Sequence, residues 1–206
     1  MDLWATVRSE REALAGDLGT LDAGQWSTPS LCAGWTVRDV VAHMVGTAKI
    51  SPATFFPKLI GAGMRLSSLQ AKDIARERGA SAAETLTNFE AVIPSRRKPP
   101  GPAPTILGET LVHAEDIRRP LGLNRTYPAE AVVAVCEFYK GSNLVLGTKR
   151  RITGVTLEAT DVDWTHGDGP AVRGPVTTLL LAMTGRVAVL DELEGDGVAV
   201  LRSRTA

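Results

Sequence analysis

The run Gly108-Glu109-Thr110-Leu111-Val112-His113-Ala114-Glu115-Asp116 decides the reading of this chain. Glu109 and His113 stand four residues apart, and on a helix such residues project from one face a turn apart. The flanking sequence predicts that helix. It starts near Thr105, buries a stripe of Ile106, Leu107, Leu111, Ala114 and Ile117, and ends by Arg119, before Pro120 and Gly122. His113 falls on the apolar side with Glu109 and Asp116 at its edge, an arrangement that costs free energy unless the polar groups are paired or coordinated. A second helical segment, Thr36 to Lys49, supplies His43. Two imidazoles and one carboxylate suit a borderline divalent ion such as zinc, and three protein ligands leave a coordination position for water or a substrate atom. His43, Glu109 and His113 therefore read as a mononuclear metal site of the catalytic type.

Outward from these residues, the first two thirds of the chain reads as helices joined by loops. Leu3, Val7, Leu14, Leu18 and Leu21 recur at helical spacing, with Arg8, Glu10, Arg11, Glu12 and Asp17 on the polar positions between them. Thr36 is a helix N-cap with Asp39 in the capping-box position, and Ser81 with Glu84 repeats that pattern before a helix to Ile93. Met64 to Arg78 is helical, Arg96 to Pro104 is a proline-rich extended loop, and Pro128 to Gly147 is a further helix with Val132, Val133, Cys136, Phe138, Tyr139 and Leu144 on its apolar positions. After Gly147 the period changes. Gly154 to Thr160, Asp163 to Thr165 and Gly197 to Arg202 read as strands, with a short helix from Pro175 to Thr184. The expected fold is mainly α with a small α+β C-terminal part: a metal-binding helical domain over residues 1–150 and an antiparallel-sheet domain over residues 151–206.

Composition narrows the partners. Lys+Arg and Asp+Glu each number 23 in 206 residues, so no global positive field draws in nucleic acid or an anionic membrane. The charged N-terminal residues do not resemble a secretory leader, and no apolar run is long enough to span a bilayer, which together predict a cytoplasmic protein. Cys32 and Cys136, far apart and without metal-knuckle spacing, read as reduced packing residues. Asp39, four residues before His43, and Asp116, three after His113, are each placed to accept the outer ring N–H of a ligating imidazole. Trp26 and Trp35 read as packing anchors. Arg38, Arg118 and Arg119 read as helix-end arginines, Glu115 as part of a solvated face, His166 as a loop residue at the surface, and Lys149-Arg150-Arg151 as a solvated connector.

The segment Cys32-Ala33-Gly34-Trp35-Thr36-Val37-Arg38-Asp39-Val40-Val41-Ala42-His43 resembles the first motif of the mycothiol-dependent maleylpyruvate isomerase family. Glu109 to Gly122, including His113-Ala114-Glu115-Asp116-Ile117-Arg118-Arg119-Pro120-Leu121-Gly122, is similar to its second motif, and Gly174 to Leu201 to the small C-terminal domain often attached there. The resemblance implies a DinB-like four-helix bundle whose divalent metal, usually zinc, is held at His43, Glu109 and His113. It also implies that the metal binds the thiol of a low-molecular-weight cosubstrate, mycothiol, for isomerisation or transfer on a small electrophilic substrate.

Two other functions stay open from the sequence: a metal-dependent hydrolase of a small substrate, and a non-catalytic, metal-stabilised ligand-binding protein. No catalytic side chain beyond the three ligands is identified, and homodimer formation is left open.

Overall fold

Helix α2 (Val37–Lys49) begins where the local chemistry dictates: the Thr36 backbone N–H donates to Asp39 Oδ2 at 2.9 Å, and the Asp39 N–H donates back to Thr36 Oγ1 at 3.3 Å. In the computed structural model, which describes residues 1–143 and 146–204, the chain forms two compact units, Asp2–Arg125 and Thr126–Ala206, with Met1 grouped with the second. Each is described by itself.

The first unit contains α1 (Leu3–Leu18), α2, α3 (Pro52–Gly61), α4 (Leu66–Glu77), α5 (Ala82–Glu90) and α6 (Pro104–Arg118). α1, α5, α2 and α6 pack in a closed ring, each against two of the others, and α4 lies along α2. The core inside the ring is Leu14 and Leu18 from α1, Val37, Val40, Val41, Met44 and Val45 from α2, Phe89 from α5, and Ala114 and Ile117 from α6, closed by Trp26. Gly46 permits the close approach of α2 to α4: a Cβ there would lie 3.1 Å from that of Asp73.

Burial departs from the expected stripes. From Ile106 to Arg118, every residue of α6 except Glu109 is buried, so this helix has no solvated face. Glu115, expected in solvent, is buried and accepts from Arg119 Nε at 2.8 Å. Arg118 is fully buried and bound through Nε to Asp17 at 2.7 Å, joining α6 to α1. Glu10 and Arg11, read as polar positions of an exposed face, are buried as well. Glu10 pairs with Arg125 at 3.0 Å, and Arg11 donates to the carbonyls of Val92 at 3.3 Å and Ser95 at 3.0 Å. Each charge enters the interior together with its partner, the condition under which burial is tolerated.

The second unit contains α7 (Ala129–Lys140), α8 (Thr148–Ile152), α9 (Val176–Met183), α10 (Gly197–Ser203) and strands β1 (Thr156–Ala159), β2 (Thr165–Gly167) and β3 (Ala171–Gly174). The helix expected over 128–147 stops at Lys140, and Leu144, assigned to its apolar face, lies outside the described residues. α7 packs on α9 within this unit, so the division of the chain falls before this helix rather than at residue 150. The sheet has the order β2-β1-β3. It is mixed rather than antiparallel, with β2 antiparallel and β3 parallel to the central strand.

The strand expected at Gly197 to Arg202 is helix α10, whose buried residues Gly197 and Leu201 are four apart and share one helical face. The third strand is instead Ala171–Gly174, a piece too short to show alternation. His166 is half-buried on β2, not on a surface loop; its neighbour Gly167 has φ 96°, and a Cβ there would strike the Val155 carbonyl. No helix among the described residues is long and apolar enough to cross a membrane.

Candidate metal centre

α2 and α6 pack side by side in the first unit, and this contact brings His43 to Glu109 and His113. His43 Nε2 lies 2.7 Å and His113 Nε2 3.2 Å from the same oxygen, Glu109 Oε1. The two imidazole rings meet edge to face, with centroids 5.0 Å apart and planes at 81°. Both histidines are buried, whereas the Glu109 side chain is 28% exposed, so the cluster faces solvent through its carboxylate. One donor atom from each of the three side chains lies within 4.8 Å of the others, a spacing at which they could hold one ion.

The hydrogen bonds behind the cluster distinguish the two aspartates that sequence spacing treated alike. Asp116, fully buried, accepts from His113 Nδ1 at 2.8 Å, which leaves Nε2 directed at Glu109. Asp39 does not serve His43. Its Oδ2 takes the Thr36 N–H and hydroxyl, and its Oδ1 pairs with Arg78 at 3.1 Å. Asp39 is the third residue of α2, where the unsatisfied N–H groups and the positive end of the helix dipole attract a carboxylate more strongly than an imidazole one turn on.

Two neighbours were not assigned to the site from sequence. Cys32, read as packing, sits with Sγ 3.1 Å from Asp116 Oδ2 and 3.7 Å from His113 Nδ1. The loop is fastened there by the Leu31 N–H, which donates to the Asp116 carbonyl at 3.1 Å. Trp35 packs its ring 5.0 Å from that of His43, tilted by 49°, while Trp26 is a core residue as expected. The proximity of both to the site depends on the loop path, which no spacing rule shows. Arg38 is committed elsewhere: it donates to Thr85 Oγ1 and to the carbonyls of Arg78 and Gly79, tying α2 to the start of α5.

Electrostatics follow this packing. Burial alone would raise the Glu109 carboxyl, but the His113 and His43 imidazoles reverse that and hold it well below the usual carboxylate range. Burial alone would lower His113; Glu109, Asp116 and Cys32 together push it well above the ordinary histidine value. The metal-free cluster is thus a carboxylate against a protonated imidazole. Burial lowers the Arg11 guanidinium to about 10, partly offset by the charge of Glu109, so Arg11 remains a fixed cation beside the site. Cys136 in the other unit is pushed up to about 12, chiefly by burial, and is an inert packing thiol.

Residues 7–104 match the family described as the mycothiol maleylpyruvate isomerase N-terminal domain, a span that includes His43 and ends before Glu109. Crystal structures of the mycothiol-dependent maleylpyruvate isomerase, and of a histidine-to-alanine mutant of it, superpose on 95% of this chain and 92% of theirs. Their TM-scores are 0.65 and 0.66, at 15% and 16% sequence identity. No curated protein matches the sequence. The chain thus matches the mycothiol maleylpyruvate isomerase N-terminal domain family over residues 7–104, and along nearly its whole length it shares the fold of that isomerase.

Proposed function

We propose that this protein is a metal- and thiol-dependent enzyme that isomerises, or transfers a thiol to, a small electrophilic substrate. Mycothiol is its cosubstrate, and maleylpyruvate is the first substrate to test. The observation that carries the proposal is the convergence of two Nε2 atoms on one Glu109 oxygen, with the outer nitrogen of His113 already bound to a buried carboxylate. The family match over residues 7–104 and the shared fold support the thiol and the reaction class.

His43, Glu109 and His113 are the residues that would hold a divalent ion, and their nitrogen and oxygen donors suit zinc. Bound there, the ion supplies a charge that keeps a thiol in its thiolate form at neutral pH, a nucleophile for reversible addition to an activated carbon–carbon double bond. The protein's own part is positional. Asp116 holds the Nδ1 proton of His113, fixing the tautomer that presents the Nε2 lone pair. Trp35 packs against the His43 ring. The half-exposed Glu109 marks the side from which substrate and thiol arrive. A hydrolase would need a further carboxylate or imidazole to take a proton from water. Glu115 is paired with Arg119 and Asp116 with His113, which disfavours that reading.

Metal analysis of untagged protein is expected to give about one equivalent of divalent ion, and far less in His43→Ala or His113→Ala, since losing one of three ligands forfeits much of the coordination energy. In cobalt-substituted protein, mycothiol is expected to produce a thiolate-to-metal charge-transfer band, and maleylpyruvate to be isomerised only when the thiol is present. Metal content that is indifferent to both histidines would end the proposal.

A further inference from the structure

The second unit carries an open cavity of about 440 Å³ lined by Gly147, Arg150, Arg151, Thr153 and Arg204, with no carboxylate among the described lining residues. Three arginines thus line one space. Arg150 and Arg204 are exposed, and no ion pair to an acid is found for either among the described residues. Arg151 is anchored from behind: its Nη1 donates to the carbonyls of Leu146 at 3.0 Å and Met183 at 2.7 Å, while its Nε is buried without a hydrogen-bond partner. Gly185 makes room for it; with φ 94°, a Cβ there would stand 3.1 Å from the guanidinium. Arg204 Nη1 is held by the carbonyls of Arg151 and Thr153.

Like charges gathered with no acid among the described lining residues repel one another. Burial lowers the Arg151 guanidinium, and the neighbouring charges of Arg186 and Arg150 lower it further. An oxyanion entering the space relieves that repulsion and meets planar forks that pair with it bidentately. Against three cations a dianionic tetrahedral group neutralises more charge than a single carboxylate. The volume lies in the range of small-molecule pockets, so there is room for the body of a ligand as well as its anion.

We propose that the cavity lined by Arg150, Arg151 and Arg204 binds the phosphoryl group of a small soluble molecule. None of its lining residues belongs to the His43, Glu109 and His113 cluster, and its test does not depend on the thiol-dependent reading. In full-length protein at low ionic strength, calorimetric titration with glucose 6-phosphate is expected to show saturable binding that glucose lacks. Arg150→Ala, which removes an exposed fork, is expected to weaken it by about tenfold or more. Arg204→Ala is expected to do the same, with circular dichroism reporting on the fold, because Arg204 also holds two carbonyls. Arg8→Ala, at an exposed arginine paired with Glu12 in the other unit, is the control and is expected to leave binding unchanged. Equal response to glucose and its phosphate, equal weakening by the control, or binding only to phosphatidic acid vesicles and not to the soluble ester would each overturn the proposal.

Discussion

Replacing Asp116 by Asn removes one negative charge from behind His113 while preserving shape, and separates the contribution of that carboxylate from packing. Asp116 is fully buried, and its bond to His113 Nδ1 is 2.8 Å long. Losing such an outer partner weakens metal binding by about 10- to 100-fold, or about 1.4 to 2.7 kcal/mol. A second term opposes the first. Asp116 helps to hold the His113 proton in the metal-free protein, so the substitution also reduces proton competition for Nε2. Competition is strongest at low pH, and the gap between parent and Asp116→Asn is therefore expected to widen as pH rises from about 6 to 8.5. Competition titrations with a chromophoric zinc chelator across that range measure both terms. Asp39→Asn is the matched control: it stands at helical spacing from His43 but serves the start of α2. It is expected to cost about 1 kcal/mol of stability or less with metal affinity unchanged. Equal affinities for parent and Asp116→Asn at pH 8.5, or an equal loss in Asp39→Asn, would refute the argument.

The metal-free protein should have a stability maximum in mild acid. Glu109 has its folded pKa depressed, so its contribution is present above its unfolded value of 4.5 and is lost as pH falls toward the folded value. His113 has its folded pKa raised, so its contribution is full below 6.5 and fades as pH climbs through the folded value. Melting temperature in chelator should therefore fall between about pH 6.5 and 8.5, whereas zinc-loaded protein should hold or gain because deprotonated His113 binds the ion; a chelated protein that stabilises steadily toward pH 8.5 would contradict this. Arg118→Ala should cost about 2 to 4 kcal/mol in urea unfolding, chiefly by emptying the position of a fully buried side chain, since its partner Asp17 is 35% exposed. A loss below about 1 kcal/mol would mean that the pair carries no more than a surface contact.

The capping box at Thr36 was legible because both partners lie within one helical turn, and it forms in full; at Ser81 the Glu84 N–H bonds the Ser81 hydroxyl as expected, but the Glu84 carboxylate accepts from the N–H of Ala80 rather than that of Ser81. The C-terminal strands were less legible. Gly197 to Leu201 alternates as a strand does, yet folds as helix α10 because Gly197 packs without a side chain against the Pro170 carbonyl and Leu201 is buried one turn on. Local alternation favours a strand; the tertiary environment decides otherwise.

At the candidate site, the juxtaposition of Glu109 and His113 follows from helical periodicity alone, while His43 joined them on its residue type and the helical pattern of Thr36 to Lys49, since nothing local links residue 43 to residue 109. The outer partners mark where periodicity stops being informative. Asp39 and Asp116 are both within a turn of a candidate ligand, but one sits at a helix start rich in unsatisfied N–H donors and the other near a helix end, buried. Position within the helix, not distance along the sequence, determines which aspartate serves an imidazole. Glu10, Arg11, Glu115 and Arg118, whose spacing matched a solvated face, are likewise governed by position in the fold. α6 lies against both α1 and α2, so a charge on that side of the ring meets an oppositely charged side chain or a carbonyl instead of water. A helix that carries candidate ligands into an interior is surrounded on most sides, and a charge there is retained against an opposite charge or a carbonyl.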